Sequence, residues 1–129
     1  MEITFDGGKV ITALLNGHVI RTDQPLDNGG TNTAPAPFDL FLASIGTCAG
    51  IYVKSFCNRR GISTEGISII QTLENDPEKK VPSSIRLEIR LPASFPEKYK
   101  DAVINAADLC TVKKTIAYQP KFEITTVTY

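Results

Sequence analysis

The chain has 129 residues, and its 14 Lys and Arg balance its 14 Asp and Glu, so the formal net charge is zero. That balance argues against nucleic acid as a partner, which asks for a basic face, and no run of like charge forms a tail or a membrane-binding patch. Three cysteines, one histidine (His18) and no C-x-x-C spacing argue against a secreted disulfide framework and against a zinc site, and no carboxylate cluster suggests another metal.

The opening MEITFDGGKV has neither the basic nor the apolar segment of a signal peptide, so the expected location is the cytoplasm. Residues 2–23 read as a three-stranded antiparallel meander rich in β-branched side chains. Asp6-Gly7-Gly8 makes the first turn, and Asn16-Gly17 is a two-residue type I′ hairpin signal between VITALL and HVIRT. Residues 24–37, QPLDNGGTNTAPAP, form a loop about as long as ordered connections become.

A helix is expected from Pro37 to Arg60. Pro37 suits its first turn, Asp39 meets the positive end of its dipole, and Arg59 and Arg60 precede a terminating Gly61. Its stretch LFLASIGTCAGIYV, residues 40–53, is uncharged for 14 residues, fewer than the roughly 18 to 20 of a membrane span. Apolar nearly all round, it reads as a central, buried helix. ISTEGISIIQTLEN then alternates as a strand with Gly66 as a bulge, and DPEKKVP is a turn. In SSIRLEIRLP, Ile85, Leu87, Ile89 and Leu91 share one face and Arg86, Glu88 and Arg90 the other. A second helix starts at Pro96. Asp108 is expected to cap a short third helix with Cys110 in its first turn, and KFEITTVTY closes the chain as a strand. The order βββ-α-ββ-α-α-β is an α+β fold, read as a single domain over residues 1–129.

Gly46 and Gly50 lie four apart in the long helix, among Ala43, Ser44, Thr47 and Ala49. A glycine inside a helix costs about 1 kcal/mol relative to alanine, so a helix or a substrate is expected to approach closely there. A chain this short also lacks elements to cover such a helix, which points to a second copy. Cys48, taken alone, reads as a core thiol. Cys110 at a helix start would have a lowered pKa, with Lys113 and Lys114 one turn on. Cys57, nine residues after Cys48, is half a turn out of phase with it and reads as a structural or free surface thiol.

Taken together, GGTNTAPAPFDLFLASIGTCAGIYV, the Gly61-Ile62 that follows the helix, and AADLCTVKKTI resemble the OsmC/Ohr family, in its OsmC-like branch. The resemblance implies antiparallel sheets around a long cysteine-bearing helix, in an intertwined homodimer with active sites at the subunit interface. It implies that the partner subunit packs on the glycines. It also implies hydroperoxide reduction in oxidative-stress defence, with Cys48 as peroxidatic thiol, Cys110 as resolving thiol, a dithiol reductant and no cofactor. Three regions depart from the peroxidase branches. Phe38 stands ten residues before Cys48 where those branches carry glutamate, with Asp39 the nearest acid. Leu14 and Leu15 precede the hairpin turn where they carry arginine, leaving Arg21 as the nearest cation on that sheet. Thr111 and Lys113 replace the proline and serine after the second cysteine. Asp39 and Arg21 are therefore the supporting candidates. The alternative is a non-catalytic, or differently catalytic, relative that binds a small apolar ligand in the dimer-interface cleft.

Overall fold

A computed structural model describes every residue from Met1 to Tyr129. The fold is α+β, and the chain divides into two compact units, Met1–Ala43 and Ser44–Tyr129.

The first unit is built on an antiparallel sheet of β1 (Glu2–Phe5), β2 (Ile11–Leu15) and β3 (His18–Thr22), in that order. Asn16 and Gly17, at φ 49° and 80°, close the two-residue turn that pairs Leu15 with His18. Both angles lie where a type I′ turn needs them, and their twist matches the flanking strands. Asp23, just after β3, is 1% exposed and organises the long loop. Its carboxylate accepts the N–H groups of Gln24 (2.7 Å), Thr31 (3.1 Å) and Thr33 (3.1 Å). It also accepts the hydroxyls of Thr31 (2.6 Å) and Thr33 (2.9 Å). These bonds, the Thr31 hydroxyl first and then the Thr33 and Gln24 amides, hold the carboxyl well below the usual carboxylate range. Gly30 completes the knot: a Cβ there would run into the backbone carbonyl of Gln24.

Helix α1, Pro37–Asn58, spans the division between the units. In the second unit it buries Ile45, Ala49, Val53, Phe56 and Cys57, a stripe at helical spacing. It is therefore not buried all round, as its composition suggests: Ile51 is 57% exposed. The whole helix, longer than its uncharged run, is long and apolar enough by length and composition to cross a membrane, yet its buried stripe belongs to a protein core.

Strands β4 (Ser68–Asn75) and β5 (Pro82–Arg90) form an antiparallel hairpin that pairs Ile69 with Ile89, Gln71 with Leu87 and Leu73 with Ile85. Gly66, at φ 76°, belongs to a turn before β4 and not to a bulge. The register instead slips at Glu74/Asn75. A 3-10 turn at Glu97–Tyr99 leads into α2 (Lys100–Asp108), and α3 (Thr111–Tyr118) follows after two residues. Ala49, Val53, Phe56 and Cys57 of α1 meet Phe95, Val103 and Ala107 in the core, with Ile69, Leu87 and Ile89 packed against them.

The close approach at the α1 glycines comes from this chain's own β4. A Cβ on Gly46 would lie 3.0 Å from Gln71 Oε1, and one on Gly50 would lie 3.9 Å from Ile69 Cδ1. Within the single chain, the space a Cβ on either glycine would enter is bordered by β4. The closing KFEITTVTY is not a strand. It runs irregular and exposed, with Phe122 90%, Ile124 94% and Val127 85% accessible. Alternation makes a strand only where a sheet edge offers partners for its backbone groups, and no strand of this chain pairs with it.

The Asp23 knot generates a pH dependence. A carboxyl whose folded pKa is depressed adds stability that is complete above its unfolded value of about 3.9 and is lost as pH falls toward the folded value. Asp23→Asn should lower the melting temperature at neutral pH. It should also flatten the fall in melting temperature between about pH 4 and about pH 2, as followed by circular dichroism.

Candidate functional site: a thiol pair at the start of a helix

Cys48 and Cys110 are 62 positions apart in the chain, yet each thiol shifts the pKa of the other. Cys48 sits on α1 one residue before the buried Ala49 and is itself half-buried. Cys110 is fully buried and is the N-cap of α3, its sulfur accepting the N–H of Lys113 at 3.4 Å. The expectation that Asp108 caps this helix is corrected. Asp108 is the last residue of α2, and its carboxylate pairs with Lys113 Nζ at 2.6 Å. The two-residue joint between α2 and α3 leaves the capping position to the cysteine. Its thiol also reaches the Ile45 carbonyl oxygen on α1 at 3.9 Å, which ties the start of α3 to the helix that carries Cys48.

The open end of α3 acts on Cys48. The Val112 N–H contributes most to lowering its pKa, followed by the Cys110 thiol, the Thr111 N–H and the charge of Lys113, with burial opposing. Unsatisfied N–H groups at a helix start favour an anion, and a thiolate is the anion placed there. Cys110 goes the other way. Burial pushes its thiol up, and the neighbouring Cys48 adds to the rise, against the helping amide of Lys113. From sequence alone, the helix start nominates Cys110 as the more acidic thiol. In the structure that same helix start serves Cys48.

The remaining candidates are not among the groups that lower the Cys48 pKa. Cys57 is wholly buried, with its thiol raised by burial, so it is a core thiol and not a surface one. Asp39, in the first turn of α1, accepts the Ala36 N–H at 3.0 Å and helps to close the helix start. Arg21 is exposed on β3, in register with Thr12. The groups that lower the Cys48 pKa all come from residues 110–113, and two of them, the Thr111 and Val112 amides, carry no side-chain signal in the sequence. Nothing in the sequence marks Tyr52 either. One turn after Cys48, its hydroxyl lies 3.3 Å from Thr111 Oγ1.

Apolar space lies beside Ile45 and Lys113, two residues that touch Cys110, although neither thiol lines it. A hollow of about 240 Å³ is lined by Ile45, Ile85, Leu87, Lys113, Ile116 and Ala117. It shares Ile85, Leu87 and Lys113 with an open groove of about 710 Å³ that follows the apolar face of β5 to Ile104 and Ala107 of α2. No three His, Cys, Asp or Glu side chains converge anywhere as a metal site would require.

The family model of OsmC-like proteins matches residues 30–125, which include both thiols. The chain belongs to the OsmC-like family. No curated protein matches it. A solved structure described as an osmotic stress induced and detoxification response protein, from Psychrobacter arcticus 273-4, aligns at 23% identity. The alignment covers 88% of this chain and 85% of that one, with a TM-score of 0.73. A structural-genomics structure aligns at 19% identity over 92% of this chain and 88% of its own, with a TM-score of 0.62. An organic hydroperoxide resistance protein from Legionella pneumophila aligns at 22% identity over 88% and 90%, with a TM-score of 0.46. The first two likenesses are of the OsmC-like fold. In this OsmC-like chain, Phe38 is half exposed and stacks on Phe41 at 5.6 Å between ring centroids.

The opposed shifts set an order of reactivity, since the thiolate is the nucleophile. In the folded protein, iodoacetamide should modify Cys48 first. Its rate should be half-maximal below the ordinary thiol value of about 8.5, with the Cys110 midpoint above that value. Cys57, as fully buried as Cys110 and also raised by burial, should likewise lag behind Cys48. Peptide mass spectrometry against pH checks the order, and faster labelling of Cys110 than of Cys48 would contradict the assignment.

Proposed function

We propose that this OsmC-like protein is a thiol-dependent hydroperoxide reductase of the cytoplasm, acting in defence against oxidative stress. The observation that carries the reading is the contact between two thiols of opposite character, one favoured as thiolate at a helix start and one held protonated by burial. Cys48 attacks the peroxide oxygen: thiol and hydroperoxide give sulfenic acid and alcohol. Cys110 then condenses with the sulfenic acid, forming the Cys48–Cys110 disulfide and releasing water. A dithiol reductant exchanges with that disulfide, restoring both thiols and leaving as a disulfide itself. The apolar hollow shared by Ile45, Leu87 and Ile116 supports an organic hydroperoxide over hydrogen peroxide, because an alkyl group buried there gains about 25 cal/mol per Å². The chemistry needs no cofactor. Asp39 and Arg21 keep supporting roles at most, since residues 110–113 supply the activating groups.

The second reading, a binding protein for a small apolar ligand, is favoured by the open groove along β5. A peroxide-consumption assay with several dithiols separates the two. Cys48→Ser should reduce turnover to background. Cys110→Ser should keep one rapid turnover and then accumulate a dimedone-reactive sulfenic acid. Reversed behaviour would exchange the two roles, and unchanged rates in both variants would favour the binding reading.

The functional unit is proposed to be a homodimer. Phe5 of β1, Val19 of β3, Ile51 of α1 and the apolar residues of the closing segment are all more than half exposed in the single chain. A second copy of the same chain is the proposed cover, and the closing segment supplies an alternating sequence able to add to a sheet edge. An obligate interface of this kind buries about 2,000 Å² or more. Sedimentation at micromolar concentration should give the mass of two chains, and a well-folded monomer would overturn the assignment.

A further inference from the structure

The first turn of α3 meets α1 through a side-chain bond that the thiol chemistry does not use. Tyr52 is four residues after Cys48, so both side chains leave α1 on nearly the same face. The Thr111 and Val112 N–H groups act on the Cys48 thiol and lower its pKa, and the Tyr52 hydroxyl lies 3.3 Å from the hydroxyl of that same Thr111. Thr111 opens α3, directly after the capping Cys110. One turn of α1 thus grips one turn of α3 at two points, the sulfur at one and the phenol at the other. The joint between α2 and α3 is two residues long, and the cap that follows is a thiol, a weak hydrogen-bonding group beside the usual Ser, Thr, Asp or Asn. A helix start held so lightly gains from an anchor outside its own backbone.

We propose that Tyr52 is a positioning residue for the thiol pair: through its bond to Thr111 it holds the first turn of α3 so that the Thr111 and Val112 amides bear on the Cys48 sulfur. The phenol touches neither thiol and takes no part in bond making. The functional weight of the proposal rests on Cys48 being the attacking thiol, but the placement of α3 does not. The groups that act on the Cys48 sulfur are those two amides, the Cys110 thiol and the Lys113 ammonium. Lys113 is fixed independently by Asp108, so loss of the Tyr52 bond leaves its charge in place and loosens the amides.

The test compares Tyr52→Phe, Thr111→Val and Thr111→Ser by the pH profile of Cys48 alkylation, resolved by peptide mass spectrometry on the full chain. Tyr52→Phe and Thr111→Val should each slow labelling of Cys48 at neutral pH by about fivefold, the weight of one net hydrogen bond. Their midpoints should move upward. Thr111→Ser keeps a hydroxyl in the same place and should retain the parent profile. No shift in Tyr52→Phe would overturn the proposal. So would a fall in melting temperature with the Cys48 and Cys110 profiles moving together, which is what general loosening of the core produces. Alkylation needs no peroxide. If the profile shifts as expected while peroxide consumption is absent from every variant and from the parent, the positioning role stands and the peroxidase reading falls.

Discussion

Two backbone amides decide the character of this protein's site. A cysteine in the middle of a half-buried helix has no reason to ionise, because burial disfavours the charged form. Cys48 escapes that rule because the first turn of α3 presents the Val112 and Thr111 N–H groups to its sulfur. Those amides have no intrahelical partners, so stabilising the thiolate also satisfies the helix start. The rest of the second unit keeps this meeting in place. Phe95, Val103 and Ala107 pack against the α1 stripe, and β4 runs close enough to Gly46 that a Cβ there would press on Gln71.

The arrangement also explains how the two thiols differ although they touch. Cys110 is the more buried of the two and faces the Ile45 carbonyl, which welcomes a proton. Cys48 is partly open and faces donors. Proximity alone would give a pair that shares one titration. The asymmetric surroundings assign the proton instead, and the difference originates in which side of the α3 entrance each sulfur occupies.

Much of the fold was legible because local rules agreed with each other. Asn16-Gly17 marks a turn that needs positive φ at both positions, and the alternation of Ile85, Leu87 and Ile89 marks a strand with one buried face. The OsmC-like membership was legible from the two cysteine segments together. What escaped was nonlocal. Asp108 is a good capping residue by type, but α2 extends through it and the cap passes to Cys110. Asp23 gathers Thr31 and Thr33 from eight and ten residues away, without any periodic pattern. The closing segment has the composition of a strand and no partner within its own chain. For Cys48, the reading from sequence sought a cation on the N-terminal sheet, because side chains are what a sequence displays. The activating groups are chiefly peptide N–H bonds more than 60 residues away, and every residue except proline carries one.

The choice of a cysteine as the cap of α3 gives the helix a property that serine or aspartate would not. Joining Cys48 and Cys110 would remove the S–H that reaches Ile45 and leave a disulfide sulfur to face the Lys113 amide. The same event would consume the thiolate on which the Thr111 and Val112 amides converge. Both fastenings of the helix entrance therefore depend on the oxidation state of the sulfur they hold. Reduced, the pair fastens α3 to α1 through weak sulfur hydrogen bonds; joined, the same two residues would fasten it through one covalent bond, so the corner would exchange one kind of tie for another with each pair of electrons it gives up.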